Sequence, residues 1–317
     1  MNKTKWNFKL TFKKQWTKEF RFWYKLFFGL IGLTMVTWGF FYGMSNNGIN
    51  DKYKGSFIFY CLQTTSYFTW QTNMLVIVWF IYGAIHHDKE GRSGLNGINW
   101  SWAITTFITC TMLIPHLWFL PTELISNALA KKELADLGKE GWTYVREANN
   151  QTYGSELSGT VVVLITEFFH LLMPLSMIFY LCFWFKADKE YLVDLKKVMK
   201  QYIPFICLYP VLFSIVTICI GELKYLGGFK YDQQYPYFFF FIHENGHNPD
   251  YTWVIKAPDG HTEQTNWMSY PLAGIHISGA AWAIITTFLF LAIIIGFGTL
   301  YYWTLIKKAN KIKNTVN

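Results

Sequence analysis

Six apolar runs dominate this chain of 317 residues: 26–44, 56–85, 98–120, 159–185, 202–222 and 272–306. Each exceeds the ~18 residues at which an apolar stretch reads as a membrane span, and as a helix each reaches across a hydrocarbon core of ~30 Å. Charged residues make up only 15% of the chain, against about 25% in a soluble domain. The expected fold class is all-α, a polytopic membrane protein with six transmembrane helices. The second and sixth runs are longer than a span requires and should tilt or project. No cleavable signal peptide is expected, because the first 25 residues are basic and aromatic and lack a short apolar core.

The charge follows the spans. A net charge of +8 can indicate nucleic acid, but here the basic residues gather at alternate connections. With the N-terminus inside, 19 of the 28 lysines and arginines fall on the inner side, in 1–25, 86–97, 186–200 and the tail. The other 9 are spread over longer outer segments. The positive-inside rule then puts both termini in the cytoplasm. Residues 1–25 form a region of their own, with Lys3, Lys5, Lys9, Lys13, Lys14, Lys18, Arg21 and Lys25 set among Trp6, Phe8, Phe12, Trp16, Phe20 and Trp23. Such a segment reads as an amphipathic helix lying on anionic lipid, and no nucleic-acid partner is expected. Residues 26–306 form the six-helix domain, and 307–317 a basic cytoplasmic tail.

Two outer loops are large, 121–158 and 223–271. In the first, Pro121 and Thr122 predict a helix that opens with Thr122 as its cap and closes at Gly138. The second is aromatic and rich in turns, with Gly227-Gly228, Asn245-Gly246 and Asn248-Pro249. Cys61, Cys110, Cys182, Cys207 and Cys219 all fall in apolar runs without CxxC spacing. Neither a disulfide framework nor a cysteine zinc site is therefore indicated.

Polar residues deep in two of the runs form the candidate site. On a single helix, Thr65, Ser66, Thr69, Thr72 and Asn73 share an arc of roughly 120°. The fourth run answers with Thr166, Glu167, His170 and Pro174, within about 100° of one another. Hydroxyls, an amide and an imidazole in hydrocarbon are costly without partners. Both helices run in the same direction, and Thr69 and His170 lie roughly 16–20 Å from the outer edge, so hydroxyl and ring can meet near the midplane. Pro174 should loosen the backbone one turn below His170. The same residues also suit plain interhelical hydrogen bonding.

Four motifs, YFTWQTN at 67–73, FHLLMP at 169–174, LYPVLFSIVTICIGE at 208–222 and YPYFFFF at 235–241, occur in an order and at a spacing that resemble one family. They look like the androgen-induced-gene and androgen-dependent TFPI-regulating membrane proteins, and most like that group's bacterial six-helix relatives, including a set from mollicutes. The resemblance covers residues 26–300. It implies an integral membrane hydrolase that cleaves fatty-acid esters of hydroxy fatty acids, with Thr69 as nucleophile and His170 as base. The chemistry is coherent, because a threonine hydroxyl needs an adjacent base and a near-neutral imidazole suits that task. Asn73, one turn from Thr69, can donate to an oxyanion, and Glu167 can orient His170; Thr65, Ser66 and Thr166 complete the polar lining. The outer loops are longer than in the compact eukaryotic members, and the basic N-terminal segment has no counterpart there.

A competing motif lies in the second outer loop. His243, Glu244 and His247 match H-E-x-x-H, in which two histidines on one helix face hold zinc and the glutamate activates water. Here Asn245-Gly246 and Asn248-Pro249 favour turns, and Asp250 and Trp253 stand where one protease group has glycine and histidine. His116, His261 and His276 are the candidates for a third ligand. Two alternatives therefore stand beside the hydrolase: a non-catalytic lipid- or small-molecule-binding membrane protein or transporter, and an outer-loop zinc protease at 243–247. Transport is disfavoured by the lack of an inverted repeat or a broken-helix pair. The leading reading requires no cofactor, and its partner is a membrane lipid or fatty-acid ester.

Overall fold

The long apolar runs become helices. In the computed structural model, which describes residues 15–46, 57–65, 67–146, 151–153, 160–227, 253–265 and 279–316, the first elements are α1 (Phe20–Asn46), α2 (Phe57–Thr65) and α3 (Phe68–Ile85). Then come α4 (98–136), α5 (160–184), α6 (Leu195–Leu226) and α7 (Gly279–Val316). Among the described residues, five helices are long and apolar enough to cross a membrane: Phe20–Tyr42, Phe68–Ile85, Leu164–Trp184, Leu195–Leu226 and Ile284–Asn310. Their outer faces carry bare large side chains such as Leu212, Ile215, Val216, Phe288 and Leu289. A surface of that kind is stable against hydrocarbon rather than water.

The expected third span, 98–120, is not among the five. It starts α4, whose Trp102, Ile104, Thr105, Thr106 and Ile108 are all at most 2% exposed. A helix packed among neighbours over most of its surface needs no continuous apolar coat. It can carry Thr105, Thr106 and Thr109, whose hydroxyls bond the carbonyls of Ser101, Trp102 and Thr105 one turn back. Nor does a new helix open at Thr122: α4 runs through Pro121 to Asp136. It stops there because Gly138 adopts φ +70° and the Lys139 amide returns to the Leu134 carbonyl, a left-handed C-terminal closure.

Two further expectations need correction. The second run, 56–85, is not one helix. Tyr67, at φ −71° and ψ 129°, is extended and separates α2 from α3. Short hydroxyl side chains compete for backbone groups here: the Thr65 hydroxyl bonds the Cys61 carbonyl at 2.8 Å, and Gln71 Nε2 covers the Thr65 carbonyl at 3.0 Å. The fold is mostly helical, as expected, but it also holds one small sheet. The strands β1 (Thr143–Arg146), β2 (Gln151–Tyr153), β3 (Trp253–Lys256) and β4 (Thr262–Thr265) form an antiparallel sheet in the order β2-β1-β3-β4. Tyr144 pairs with Ile255, so the two large loops meet each other. Both side chains pack on Ala130 and Leu134, near the end of α4.

Three helices widen into a π turn just before a proline. The amide of Ile114 bonds the carbonyl of Thr109, Met173 that of Phe168, and Ile203 that of Val198, each five residues back. Pro115, Pro174 and Pro204 follow directly. A proline ring presses on the carbonyl four residues before it and offers no amide, and one wider turn relieves both problems. α1 packs tightly on α3, because Gly29 and Gly32 lack side chains. A Cβ on either would stand 2.8 Å from Cγ1 of Ile81 or Ile77, and such small residues let apolar helices approach.

Only the end of the N-terminal segment expected on lipid is described. Residues 1–14 lie outside the described residues, and from Phe20 the chain is already α1. Arg21 and Lys25, counted above with the lipid-facing charges, turn inward to Glu90. Glu90 accepts from Lys25 Nζ at 2.5 Å, Arg21 Nη1 at 2.9 Å, the Tyr180 hydroxyl at 2.5 Å and the Lys186 amide at 2.9 Å. Next to it Gly91 adopts φ +75°, and a Cβ there would lie 1.8 Å from the Lys186 carbonyl oxygen. Only glycine lets the 86–97 connection lie this close.

Candidate functional site

The two polar faces expected from the sequence lie on helices that touch. The π turn Phe168–Leu172 of α5 packs against α3 and against the π turn Thr109–Leu113 of α4. Asn73 marks the junction: its Nδ2 donates to the Thr69 carbonyl at 2.9 Å and lies 3.6 Å from Met112 Sδ. Thr69 is one turn from Asn73 on α3, and His116 is one turn from Met112 on α4. Both steps lead away from the 86–97 connection by about 6 Å, so Thr69 and His116 share a level.

His170 stands beside His116. The rings stack with centroids 5.5 Å apart and planes 27° from parallel. His170 Nδ1 lies 2.9 Å from the Thr166 carbonyl oxygen. A carbonyl only accepts, so Nδ1 carries the proton, and in a neutral ring Nε2 keeps its lone pair. Glu167 does not orient His170 as expected. Its Oε2 reaches across to His116 Nε2 at 3.0 Å. The Thr166 carbonyl one turn back is the partner of His170 Nδ1, and Glu167 pairs with the neighbouring helix.

The remaining candidates divide. The hydroxyls of Thr65 and Thr72 bond the carbonyls of Cys61 and Phe68 within their own helices, as interhelical spacers do. Thr111 adds a 3.5 Å contact to the Thr72 hydroxyl. With the helix interrupted at Tyr67, Thr65 belongs to α2, and the five-member polar arc is not one helix face. Ser66 lies outside the described residues. Thr69 is half-buried in the first turn of α3. Asn73 is buried and its Oδ1 has no hydrogen-bond partner. Its donors are engaged, one of them only by a thioether, which is a weak acceptor.

The zinc motif His243, Glu244 and His247, like His276, lies outside the described residues. Among those that are described, no three His, Cys, Asp or Glu side chains are grouped to hold a metal ion. His116, considered above only as a zinc ligand, instead belongs with His170. The sequence signal was there, since His116 follows Pro115 inside an apolar run much as His170 precedes Pro174.

A second polar cluster surrounds Glu90. Burial pushes its carboxyl up, but the neighbouring Lys25 and Arg21 charges more than offset this and hold it below its ordinary value. Glu19 is held at about 2, first by its hydrogen bond from Arg21. Burial, and then the Lys25 charge, keep His87 below its ordinary value. His87 Nε2 is 3.2 Å from Glu19 Oε2 in poor hydrogen-bond geometry, and Nδ1 has no partner. Positive and negative groups alternate around this cluster, which ties α1, α5 and the 86–97 connection together.

Comparisons with protein-family models, with curated proteins and with solved structures find no match.

Proposed function

We propose that this chain is a six-span membrane protein with both termini cytoplasmic, and that it hydrolyses fatty-acid esters with Thr69 as nucleophile and His170 as base. The observation that supports this reading is the His116–His170 stack, held by Glu167 and Thr166 at the level of Thr69. The family resemblance assigns the same two residues. In the reaction, His170 Nε2 takes the Thr69 hydroxyl proton as the oxygen attacks the ester carbonyl. The tetrahedral intermediate collapses, and the leaving alkoxide takes that proton from Nε2. Water, deprotonated by Nε2, then attacks the acyl-Thr69 ester, releasing the fatty acid and returning the proton to Thr69. Asn73 Nδ2 can exchange its thioether contact for the oxyanion.

The test is ester turnover by purified protein. Thr69→Val keeps shape but removes the attacking oxygen, and His170→Ala removes the base. Each should fold normally and lose turnover by about a thousandfold or more, and the double variant should lose little more than either. Ester hydrolysis at the normal rate by folded Thr69→Val refutes the assignment. One observation favours a second reading, binding or transport without catalysis: the break at Tyr67 interrupts a helix within an apolar run, as at transporter substrate sites. That reading gains if the wild type binds fatty-acid esters but never cleaves them.

A further inference from the structure

An apolar groove of about 680 Å³ runs between α3, α4 and α6. Its volume falls in the range of about 300–1,000 Å³ typical of small-molecule sites. Leu75, Ala103, Phe107, Phe205 and Leu208 form its body. It is not the Thr69 site. Around α3, Leu75 points about 120° away from Thr69 and about 160° from Asn73.

The groove has direction. Asn99, Gln201 and Tyr202 lie at one end, next to the connections that hold Glu90 and Lys186, and Tyr209 and Leu212 lie at the other. From Gln201 to Leu212 the helix rises about 16 Å, close to half of a ~30 Å hydrocarbon core and therefore one leaflet. Asn99 lines the polar end; its Oδ1 is covered by protein and has no hydrogen-bond partner, so a small side-chain rotation would turn it to a donor in the groove. Trp100 stands at that end and is 54% exposed, as an interfacial aromatic would be. The long side is open: Leu75, Leu208 and Leu212 are exposed, so a chain can enter sideways from the bilayer.

We propose that this groove binds one acyl chain of a glycerolipid from the leaflet on the Glu90 side, with a hydrogen-bond donor of the lipid's polar region at Asn99. A polar end, an apolar body one leaflet long and an open flank match an acyl chain better than any soluble ligand. The site is independent of the proposed hydrolysis.

Photolabelling tests it. The full chain is placed in phosphatidylcholine nanodiscs with a tracer of phosphatidylglycerol, whose headgroup hydroxyls donate, carrying a mid-chain diazirine. Labelling of peptides spanning 99–107 and 205–212 should exceed that of the exposed α7 face at Phe288 and Leu289 by about fivefold or more. Leu75→Trp with Leu208→Trp should remove the excess and leave the α7 label. Asn99→Leu should erase any preference over a phosphatidylcholine tracer, which has no donor. Even labelling of the groove and α7 in the unmodified chain overturns the proposal, and this arm needs no variant to fold. Equal labelling by the two tracers overturns the role of Asn99.

Discussion

Glu90→Gln should destabilise this protein more than any change at its apolar surface. Glu90 has a side chain 2% exposed and faces Lys25 at 0% and Arg21 at 13%. Replacing the carboxylate by an amide removes the charge that compensates both cations, and the amide cannot accept four hydrogen bonds. Breaking a buried ion pair from one side costs about 3–5 kcal/mol, because the other charge stays buried. At about 2 °C per kcal/mol for a chain of this size, the melting temperature should fall by roughly 6–10 °C. The assay is thermal unfolding in detergent, followed by tryptophan fluorescence. The same logic predicts a rescue. Adding Lys25→Met removes a stranded cation, so the double variant should melt above Glu90→Gln alone. If Glu90→Gln melts within about 1 °C of wild type, or if the two losses simply add, the buried pair is not what holds this end of the bundle.

Acid should weaken the fold in two steps. His87 lies below its ordinary value of 6.5, so the unfolded chain takes its proton first and stability falls as pH drops below 6.5. Glu90 lies below its ordinary 4.5, so its contribution is present above 4.5 and is lost as pH falls through the lower folded value. Melting curves from pH 8 to 2 should show both steps, the second below pH 4.5, and His87→Phe should remove only the first. A cysteine at Asn47 or Asn150 should react with an impermeant thiol reagent on intact cells, and one at Asn314 should not; the opposite pattern reverses the topology. His247→Ala should leave folding and ester turnover unchanged, and metal analysis should find no stoichiometric zinc. One zinc per chain, lost in that variant, makes the protease reading the stronger one.

The residues of the candidate site were legible because polar groups in hydrocarbon are conspicuous. Thr69, Asn73, Glu167 and His170 stood out by cost alone, and a helical wheel put Glu167 and His170 on one face. Their pairing was not legible. Glu167 bonds His116 across 51 residues of sequence, and His170 takes a carbonyl on its own helix. The wheel for Thr65 to Asn73 failed at one residue. Nothing in the apolar pattern marks Tyr67 as extended, and at the break Gln71 reaches back to the Thr65 carbonyl.

Helix positions along this chain follow from local facts: runs of apolar residues, hydroxyl side chains one turn from a carbonyl, prolines that widen the turn before them. Those facts are contained in a dozen neighbouring residues and hold whatever the rest of the chain does. Which charges face lipid and which face inward is another matter. Lys25 looks like its basic neighbours until Glu90, 65 residues away, is brought to 2.5 Å. The two large loops likewise each form a strand pair of their own, but β1 and β3 gain partners on their second edges only by meeting each other. A buried charge or an unpaired strand is unstable alone, so its place is decided only when the partner arrives.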